Sequence, residues 1–514
     1  MFVLMFEVAS CLEASTAEFW GARWWPVGIA SQCPRTPTAQ TVLGAPIVVW
    51  HDGEEWRTLV DRCPHRFARL SEGRVVAGGI ECPYHGWRFD GKGACVAIPQ
   101  EEASKPADKA RCGATALETA ERNGLVFAWT APLYGLGHEP DYGALARAAL
   151  DEIFVDEPGA VWTDYSRDLP MDATVLIENV LDPSHLPFTH DGTISRRAAA
   201  RAVPFGPIET SKHGFSAERR TPGTRGVVAW RAPNLVVSRT ERPRSFRDWN
   251  VVYAVPSEPG KCRLIVRVVF EVAKIPNRIQ RALISTAFRA PPWIGHLSSH
   301  RVLEDDNVFL HHMNRDIVVG EDDGDYDRVA RAAIPGVVAR RALAPRWRER
   351  WHLATSADAT VVAFRRWLDT YTAGRGVVYS PSLALDKRDV PAPSDLSRNQ
   401  IIDRYAAHTS HCASCAAARR RVLQALHVAE VLSHFALVAA ILLPTRYRFP
   451  VAMVSPLAFL VRKYLLRPLL DAFDRGSYPP PRNTKRRATI SKAPADLPPP
   501  PINKPPPDLS GSSS

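Results

Sequence analysis

The chain holds 514 residues, 45% of them hydrophobic and 23% charged, with a formal charge of +11. Those proportions describe a globular protein too long for one ordinary core, so two domains with appendages are expected. The positive balance would suit nucleic acid, an anionic membrane surface or an acidic protein partner. No nucleic-acid motif accompanies the charge and the basic residues are scattered, which removes the first.

The N-terminus carries Glu7 and Glu13 and lacks a basic region, so it reads neither as a secretory signal nor as an Arg-rich, acid-poor transit peptide. Phe19-Trp20 and Trp24-Trp25-Pro26-Val27 form the aromatic start of a β-domain. Ile47-Val48-Val49-Trp50 follows as a buried strand, His51-Asp52-Gly53 as its turn, and Glu55-Trp56-Arg57-Thr58-Leu59-Val60 as the return strand. That hairpin delivers Cys63-Pro64-His65-Arg66. Sixteen residues, Arg66 to Glu81, separate His65 from a second loop, Cys82-Pro83-Tyr84-His85-Gly86-Trp87.

Each loop offers one thiolate and one imidazole, so the pair can hold two metal ions, one by sulfur and one by nitrogen. This is the ligand set of a Rieske [2Fe-2S] centre, in which two His replace two Cys on one iron. Two Cys and two His would also satisfy a tetrahedral zinc ion, but zinc loops usually pair like with like, whereas both loops here are mixed. Gly86-Trp87 and the Gly91-Lys92-Gly93 turn resemble the cluster-binding hairpins of Rieske proteins. Asn123 to Trp129 supplies a closing strand, and residues 19–135 read as one mostly β domain.

Residues 136–375 mix helix and strand patterns. Val251 to Val255 and Leu264 to Val272 are extended runs, and an antiparallel sheet with helices to one side, an α+β arrangement, is expected. Near its start stands Glu178-Asn179-Val180-Leu181-Asp182-Pro183-Ser184-His185-Leu186-Pro187-Phe188-Thr189-His190. On a helix Asp182 and His185 share a face. His190, five residues on, is rotated about 140° from His185, so the helix must break for both to reach one metal, and Pro187 is placed to break it. Two His need a carboxylate to complete the facial triad of a non-haem Fe(II) oxygenase. The candidate acids lie in Val302-Leu303-Glu304-Asp305-Asp306-Asn307-Val308-Phe309-Leu310, with His311 and His312 beyond as a solvated or supporting pair.

From Phe19 to about Cys415 the chain resembles the Rieske-type aromatic-ring oxygenases. Within them it resembles the group of pheophorbide a oxygenase, chlorophyllide a oxygenase, the protochlorophyllide-oxidising enzyme and the Rieske protein of the chloroplast import complex. The resemblance rests on Glu178 to His190 running into Asp191-Gly192-Thr193, on Arg196-Arg197, on Val203-Pro204-Phe205, and on His408-Thr409-Ser410-His411-Cys412-Ala413-Ser414-Cys415. Arg69 departs from the proline common there. The resemblance implies a [2Fe-2S] cluster on Cys63, His65, Cys82 and His85, and a mononuclear Fe(II) on His185, His190 and an acid that aligns best on Asp306, with Asp305 as the alternative. It further implies that Asp182 and Asn179 serve catalysis, Asp182 bridging two imidazoles between neighbouring subunits of a homotrimer. A ferredoxin-type electron donor, O2 and a chlorophyll-type tetrapyrrole are the implied partners, in a chloroplast membrane, either envelope or thylakoid. A redox-sensing import-complex protein without oxygenase turnover is the alternative.

Residues 376–420 form a linker ending at Cys412 and Cys415, which could be a redox-active dithiol, a metal-ligand pair or two quiet thiols. Val422 to Leu443, 22 mainly apolar residues, is long enough to span a bilayer, with His427, Glu430 and His434 on one face. Pro450 to Val461 and Leu465 to Leu470 supply a short, broken second span, so residues 422–470 hold one or two transmembrane helices. Arg419-Arg420-Arg421 would keep the catalytic part on the stromal or cytoplasmic side. Residues 478–514 are rich in Pro, Lys and Ser and are expected to be disordered.

Overall fold

The computed structural model describes residues 18–476, apart from 103–107, 152–159, 222–223, 242–246, 273–274, 276, 320–346, 373–376 and 381–395. The expectations for the first seventeen residues and for the tail beyond 477 lie outside the described residues.

Among the described residues, eleven short strands build the N-terminal part: β1 (Trp24–Ile29), β2 (Thr38–Val42), β3 (Ala45–His51), β4 (Trp56–Val60), β5 (Arg74–Val76), β6 (Gly79–Glu81), β7 (Arg88–Phe89), β8 (Cys95–Ala97), β9 (Ala116–Leu117), β10 (Thr119–Arg122) and β11 (Leu125–Trp129). They pair as three sheets in the orders β1-β11-β10, β2-β3-β4-β9 and β5-β6-β7-β8. The unbroken apolar run of β3 has a physical reason. Ile47 and Val49 enter one core with Trp25 and Phe127, while Val48 and Trp50 face the opposite core with Leu70, Ile80 and Phe89. A strand buried on both faces reads as a continuous run rather than an alternation.

A seven-stranded antiparallel sheet follows, made of β12 (Val161–Leu169), β13 (Glu209–Ser211), β14 (Gly214–Thr221), β15 (Thr224–Arg231), β16 (Leu235–Glu241), β17 (Arg247–Glu258) and β18 (Lys261–Phe270). Its order is β12-β18-β17-β16-β15-β14-β13. The period-two rule sorts its side chains. Val251, Tyr253 and Val255 of β17 join the core of the N-terminal sheets, and Val252 and Ala254 face helices. The core therefore passes residue 135 without a break.

The longer helices and the turn between the two His are α1 (Tyr142–Ala148), α2 (Ala173–Leu181), α3 (Leu186–Thr189), α4 (Arg278–Ala287), α5 (Pro292–Val319), α6 (Ala359–Tyr371) and α7 (Ala413–Leu442), with the interrupted helical segment Thr445–Asp474 returning as α8. Asp172 starts α2 by accepting a hydrogen bond from the Thr174 amide at 2.9 Å, an N-cap worth about 1 kcal/mol. Helix α6 braces α2 from behind: Thr360 Oγ1 donates to the Leu181 carbonyl at 2.8 Å, and Arg365 pairs with Glu178, both buried. Helix α5 is fixed to β12 and to the C-terminal segment through Glu304, which accepts from Arg167 at 3.1 Å and from Arg404 at 2.7 Å on each oxygen.

Helices α7 and α8 are each 30 residues long, apolar enough to cross a membrane and almost wholly unburied. A core helix of this composition would be covered, whereas here Phe435, Ile441, Leu442 and Phe449 are exposed. The second span is longer than expected, 30 residues, and it is interrupted, by a turn at Met453 between Thr445–Ala452 and Val454–Val461 and by a π-helical stretch at Arg462–Leu466 before Arg467–Asp474. Glu430 on the polar face of α7 meets Arg462 of α8 at 3.2 Å, and Ser433 meets Ser455 at 2.8 Å.

Candidate active site: two metal-ligand constellations

The two cluster loops are conformational twins. Cys63 N–H donates to the Ala68 carbonyl and Phe67 N–H to the Cys63 carbonyl, both at 2.8 Å; Cys82 N–H donates to Trp87 and Gly86 N–H to Cys82, at 2.8 and 3.1 Å. The fifth residue of each loop takes a left-handed conformation, Phe67 with φ 61° and Gly86 with φ 73°. This frame buries Cys63 and Cys82 and leaves His65 exposed and His85 half-buried. The two imidazoles come together at 4.7 Å between ring centres, and Trp87 stacks flat on His65 at 4.4 Å. Burial pushes the Cys63 thiol up to about 11, so its thiolate needs a cation beside it. Buried sulfurs on one side and outward nitrogens on the other match a cluster with one iron inside and one at the surface.

A β-branched side chain at Gly86 is refused twice over, by the positive φ and by Pro99 Cγ 3.2 Å from the Cβ position. Gly86→Val is expected to strain the second loop by about 1–2 kcal/mol, read as faster bleaching of the visible cluster absorption in mild denaturant. Unchanged bleaching would show that the loop conformation does not hold the cluster.

The second constellation is made by a helix end. Helix α2 stops at Asp182, whose backbone is extended at φ −95° and ψ 99°. Pro183 follows, and His185 and His190 then bracket the single turn of α3. The helix breaks at Asp182-Pro183, ahead of both His, and not at Pro187 between them; His185 to His190 is one short helical turn. Pro187 stands in the first turn of α3, where its missing N–H costs nothing. The two rings face each other at 5.3 Å, and ligand atoms of His185, His190 and Asp306 lie within 4.8 Å of one another.

Each His has its tautomer set by its other nitrogen. His185 Nδ1 donates to the Asp182 carbonyl. His190 Nδ1 faces Asp305 Oδ2 at 3.4 Å, and that oxygen is also held by the Thr193 hydroxyl. His190 Nε2 is left to Asp306 Oδ2 at 3.1 Å. Asp306 Oδ1 is buried without a hydrogen-bond partner, an arrangement a protein tolerates where a cation completes it. Two nitrogens and one carboxylate converging on one side fit an iron with open positions.

The two neighbouring acids that the sequence left as rivals thus touch opposite nitrogens of one ring. Glu304 is committed to its two arginines. His311, expected to be solvated or supporting, is buried, with Nδ1 on the Pro170 carbonyl at 2.6 Å, and His312 is exposed. Asp182 spends Oδ1 on the Ser184 amide and hydroxyl, at 2.7 and 2.5 Å, and stays partly exposed. Asn179 is half-buried in the last turn of α2. Cys412 and Cys415 are buried free thiols that pack with Val422 and Phe473, near Trp293. The role of Thr193 was missed by sequence reasoning, which had it only as part of the Asp191-Gly192-Thr193 stretch; its place three residues after His190 was the signal.

Burial penalises the His190 cation, but the carboxylates of Asp305 and Asp306 outweigh that and raise its pKa to about 9. Proton and metal compete for this imidazole, so Co(II) uptake by metal-free protein should strengthen as pH rises toward 9, roughly tenfold per unit. The raised value also stabilises the metal-free fold in acid, an effect withdrawn as pH climbs from about 6.5 through about 9. A chelator-competition titration that gives a pH-independent affinity over that window would contradict this.

Family models match two parts of the chain: a Rieske [2Fe-2S] domain at residues 23–115 and pheophorbide a oxygenase at residues 230–322. Flavonoid 8-hydroxylase 2, chloroplastic, of Ocimum basilicum is 31% identical over 499 residues, 89% of this chain and 85% of that protein. Pheophorbide a oxygenase, chloroplastic, of Oryza sativa subsp. japonica is 30% identical over 77% of this chain and 72% of its own. Protein TIC 55, chloroplastic, of Arabidopsis thaliana is 28% identical over 77% and 72%. Among solved structures, dicamba monooxygenase bound to 3,6 dichlorosalicylic acid covers 69% of this chain and 98% of its own at 17% identity, with a TM-score of 0.50, a likeness of fold.

A Rieske domain joined to a His, His, carboxylate domain is the architecture of the Rieske non-haem iron oxygenases. The chain belongs to the pheophorbide a oxygenase family of these enzymes, whose cofactors are a [2Fe-2S] cluster and a mononuclear iron.

Proposed function

We propose that the protein is a membrane-anchored monooxygenase that oxygenates a chlorophyll-type tetrapyrrole. The observation that carries this reading is the convergence of His185, His190 and Asp306 in the same chain as the paired Cys-His loops. In this reading Cys63, His65, Cys82 and His85 hold the cluster and His185, His190 and Asp306 hold the single iron, while Asp305 and Thr193 orient His190. When bound, the two groups supply one-electron transfer and the activation of dioxygen.

Asp182 takes the bridging role across a subunit boundary. Both hydrogen bonds on its side chain fall on Oδ1, so Oδ2 keeps its lone pairs for the exposed His65 or the half-buried His85 of a neighbouring copy. A head-to-tail contact of that kind closes as a ring, here a homotrimer. Asn179, one turn before Asp182, shares that helix end. The charge of +11 suits an acidic ferredoxin as donor. Helices α7 and α8 anchor the protein in a chloroplast membrane, envelope or thylakoid, with the catalytic part stromal, a reading supported by the chloroplastic relatives and by Arg419-Arg420-Arg421.

Two boundaries stay proposals of the same kind: 19–135 for the cluster domain and 136–375 for the catalytic domain. A second substrate class, a flavonoid phenol, is favoured by the relative that matches 89% of the chain. The non-turnover redox sensor is disfavoured by the intact triad. The test is single-oxygen incorporation from labelled O2, with detergent-solubilised protein, reduced ferredoxin, and pheophorbide a, chlorophyllide a or a flavone. Oxygen uptake without any labelled product, at full iron content, would reject the oxygenase reading.

A further inference from the structure

A second buried constellation lies apart from the iron ligands already described. His296 of α5, His408 in the turn before α7, and Cys412 and Cys415 at the start of α7 are all buried. One ligand atom from each lies within 4.8 Å of the others. His408 Nε2 stands 3.2 Å from His296 Nδ1, Cys415 Sγ is 3.3 Å from each of these nitrogens, and Cys412 Sγ is 3.6 Å from His296 Nδ1. A tetrahedral zinc ion with bonds of about 2.0–2.1 Å to nitrogen and 2.3 Å to sulfur demands ligand-to-ligand edges of about 3.3–3.8 Å. The four atoms already stand close to those edges.

The imidazoles are turned for the purpose. His296 Nε2 donates to the Asp164 carbonyl at 3.0 Å, and His408 Nδ1 donates to the Ser166 carbonyl at 2.5 Å. Each ring proton is spent on the same edge strand, β12, and each inward nitrogen presents a lone pair. Two lone pairs facing each other at 3.2 Å repel unless a cation lies between them. Tyr165 stacks on His408 at 4.8 Å between centres. Gln32 shares the Asp164 carbonyl through Nε2 at 2.9 Å and accepts from the Ala413 amide at 2.8 Å. Two thiolates and two neutral imidazoles leave a divalent cation electrically neutral, which suits a site without water. A closed four-protein-ligand S2N2 shell is the structural kind, with no position left for a substrate.

We propose that His296 Nδ1, His408 Nε2, Cys412 Sγ and Cys415 Sγ bind one structural zinc ion that fastens the start of the apolar hairpin to β12 and to α5. The Cys412/Cys415 pair needs no second Cys pair, because two His that lie far from each other along the chain complete the shell. The same ion ties α7 to the helix that carries Asp305 and Asp306. From His296 to Asp306 is ten residues, about 15 Å of helix.

The test uses the full chain in detergent. Elemental analysis is expected to find about one zinc per chain beside the iron, and zinc-edge X-ray absorption to fit two sulfur and two nitrogen scatterers in the unsubstituted protein, which needs no variant to fold. Cys412→Ser/Cys415→Ser is expected to lose the zinc and keep the [2Fe-2S] absorption, and growth with cobalt to give a thiolate-to-cobalt charge-transfer band that the variant lacks. Protein with its full iron and no zinc overturns the proposal. So does a Cys412–Cys415 disulfide in anaerobically purified protein, zinc retained by the double variant, or iron in the S2N2 shell.

Discussion

Asp306→Ala is expected to remove about one iron atom in three while the cluster spectrum stays intact, and to lower turnover by on the order of a thousandfold. The magnitude follows from a metal's several kcal/mol of transition-state stabilisation, at about 1.4 kcal/mol per factor of ten. The residue beside it behaves differently. Asp305 meets Nδ1 of His190, the nitrogen that turns away from the triad, and shares its oxygen with Thr193. Asp305→Asn is expected to weaken iron binding by about 10–100-fold without emptying the site at saturating iron. Iron counts beside cluster absorption in the two purified variants settle the matter. If Asp305→Asn strips the iron and Asp306→Ala retains it, the roles are reversed.

Arg365→Met is expected to destabilise the fold by about 3–5 kcal/mol, the usual consequence of leaving one member of a buried ion pair alone. Glu178 is buried in α2 with the Arg365 guanidinium as its partner. Burial drives its carboxyl pKa up, and Arg365 is the group that opposes the rise. Because α2 ends at Asp182, loosening it also loosens the turn that presents His185. The double variant Arg365→Met/Glu178→Leu removes both charges and should recover most of the loss, since an apolar pair of similar volume is commonly neutral or better. Denaturant midpoints for the single and double variants measure this; a single variant as stable as the parent protein would exclude a structural role for the pair.

The paired Cys-His loops were legible in the sequence because each is local: a thiol, an imidazole and a turn residue within six positions, framed by strands whose apolar runs could be read directly. The sheet of the second half was legible for the same reason in Val251 to Val255 and Leu264 to Val272. What was not legible depended on rotation and distance. Neighbouring acids on a helix differ by about 100° of direction, so nothing local separates Asp305 from Asp306; only the position of His190 between them does. Pro187 looked like a helix breaker because proline usually is, but Asp182-Pro183 had already ended α2, and a proline in a first turn is harmless. His296 gave no spacing signal with Cys412, from which 116 positions separate it; His300, four residues on along the same helix face and likewise buried, was a local hint that α5 turns imidazoles inward.

The apolar cluster that joins Trp25 and Phe127 to Val251 and Tyr253 bears on how the protein can be cut. A fragment ended near residue 135 would carry its cysteines and histidines intact, yet it would be born with one flank stripped of the surface that keeps it dry. The remainder would show the mirror-image wound, and both pieces should precipitate unless expressed together, when they are expected to reunite.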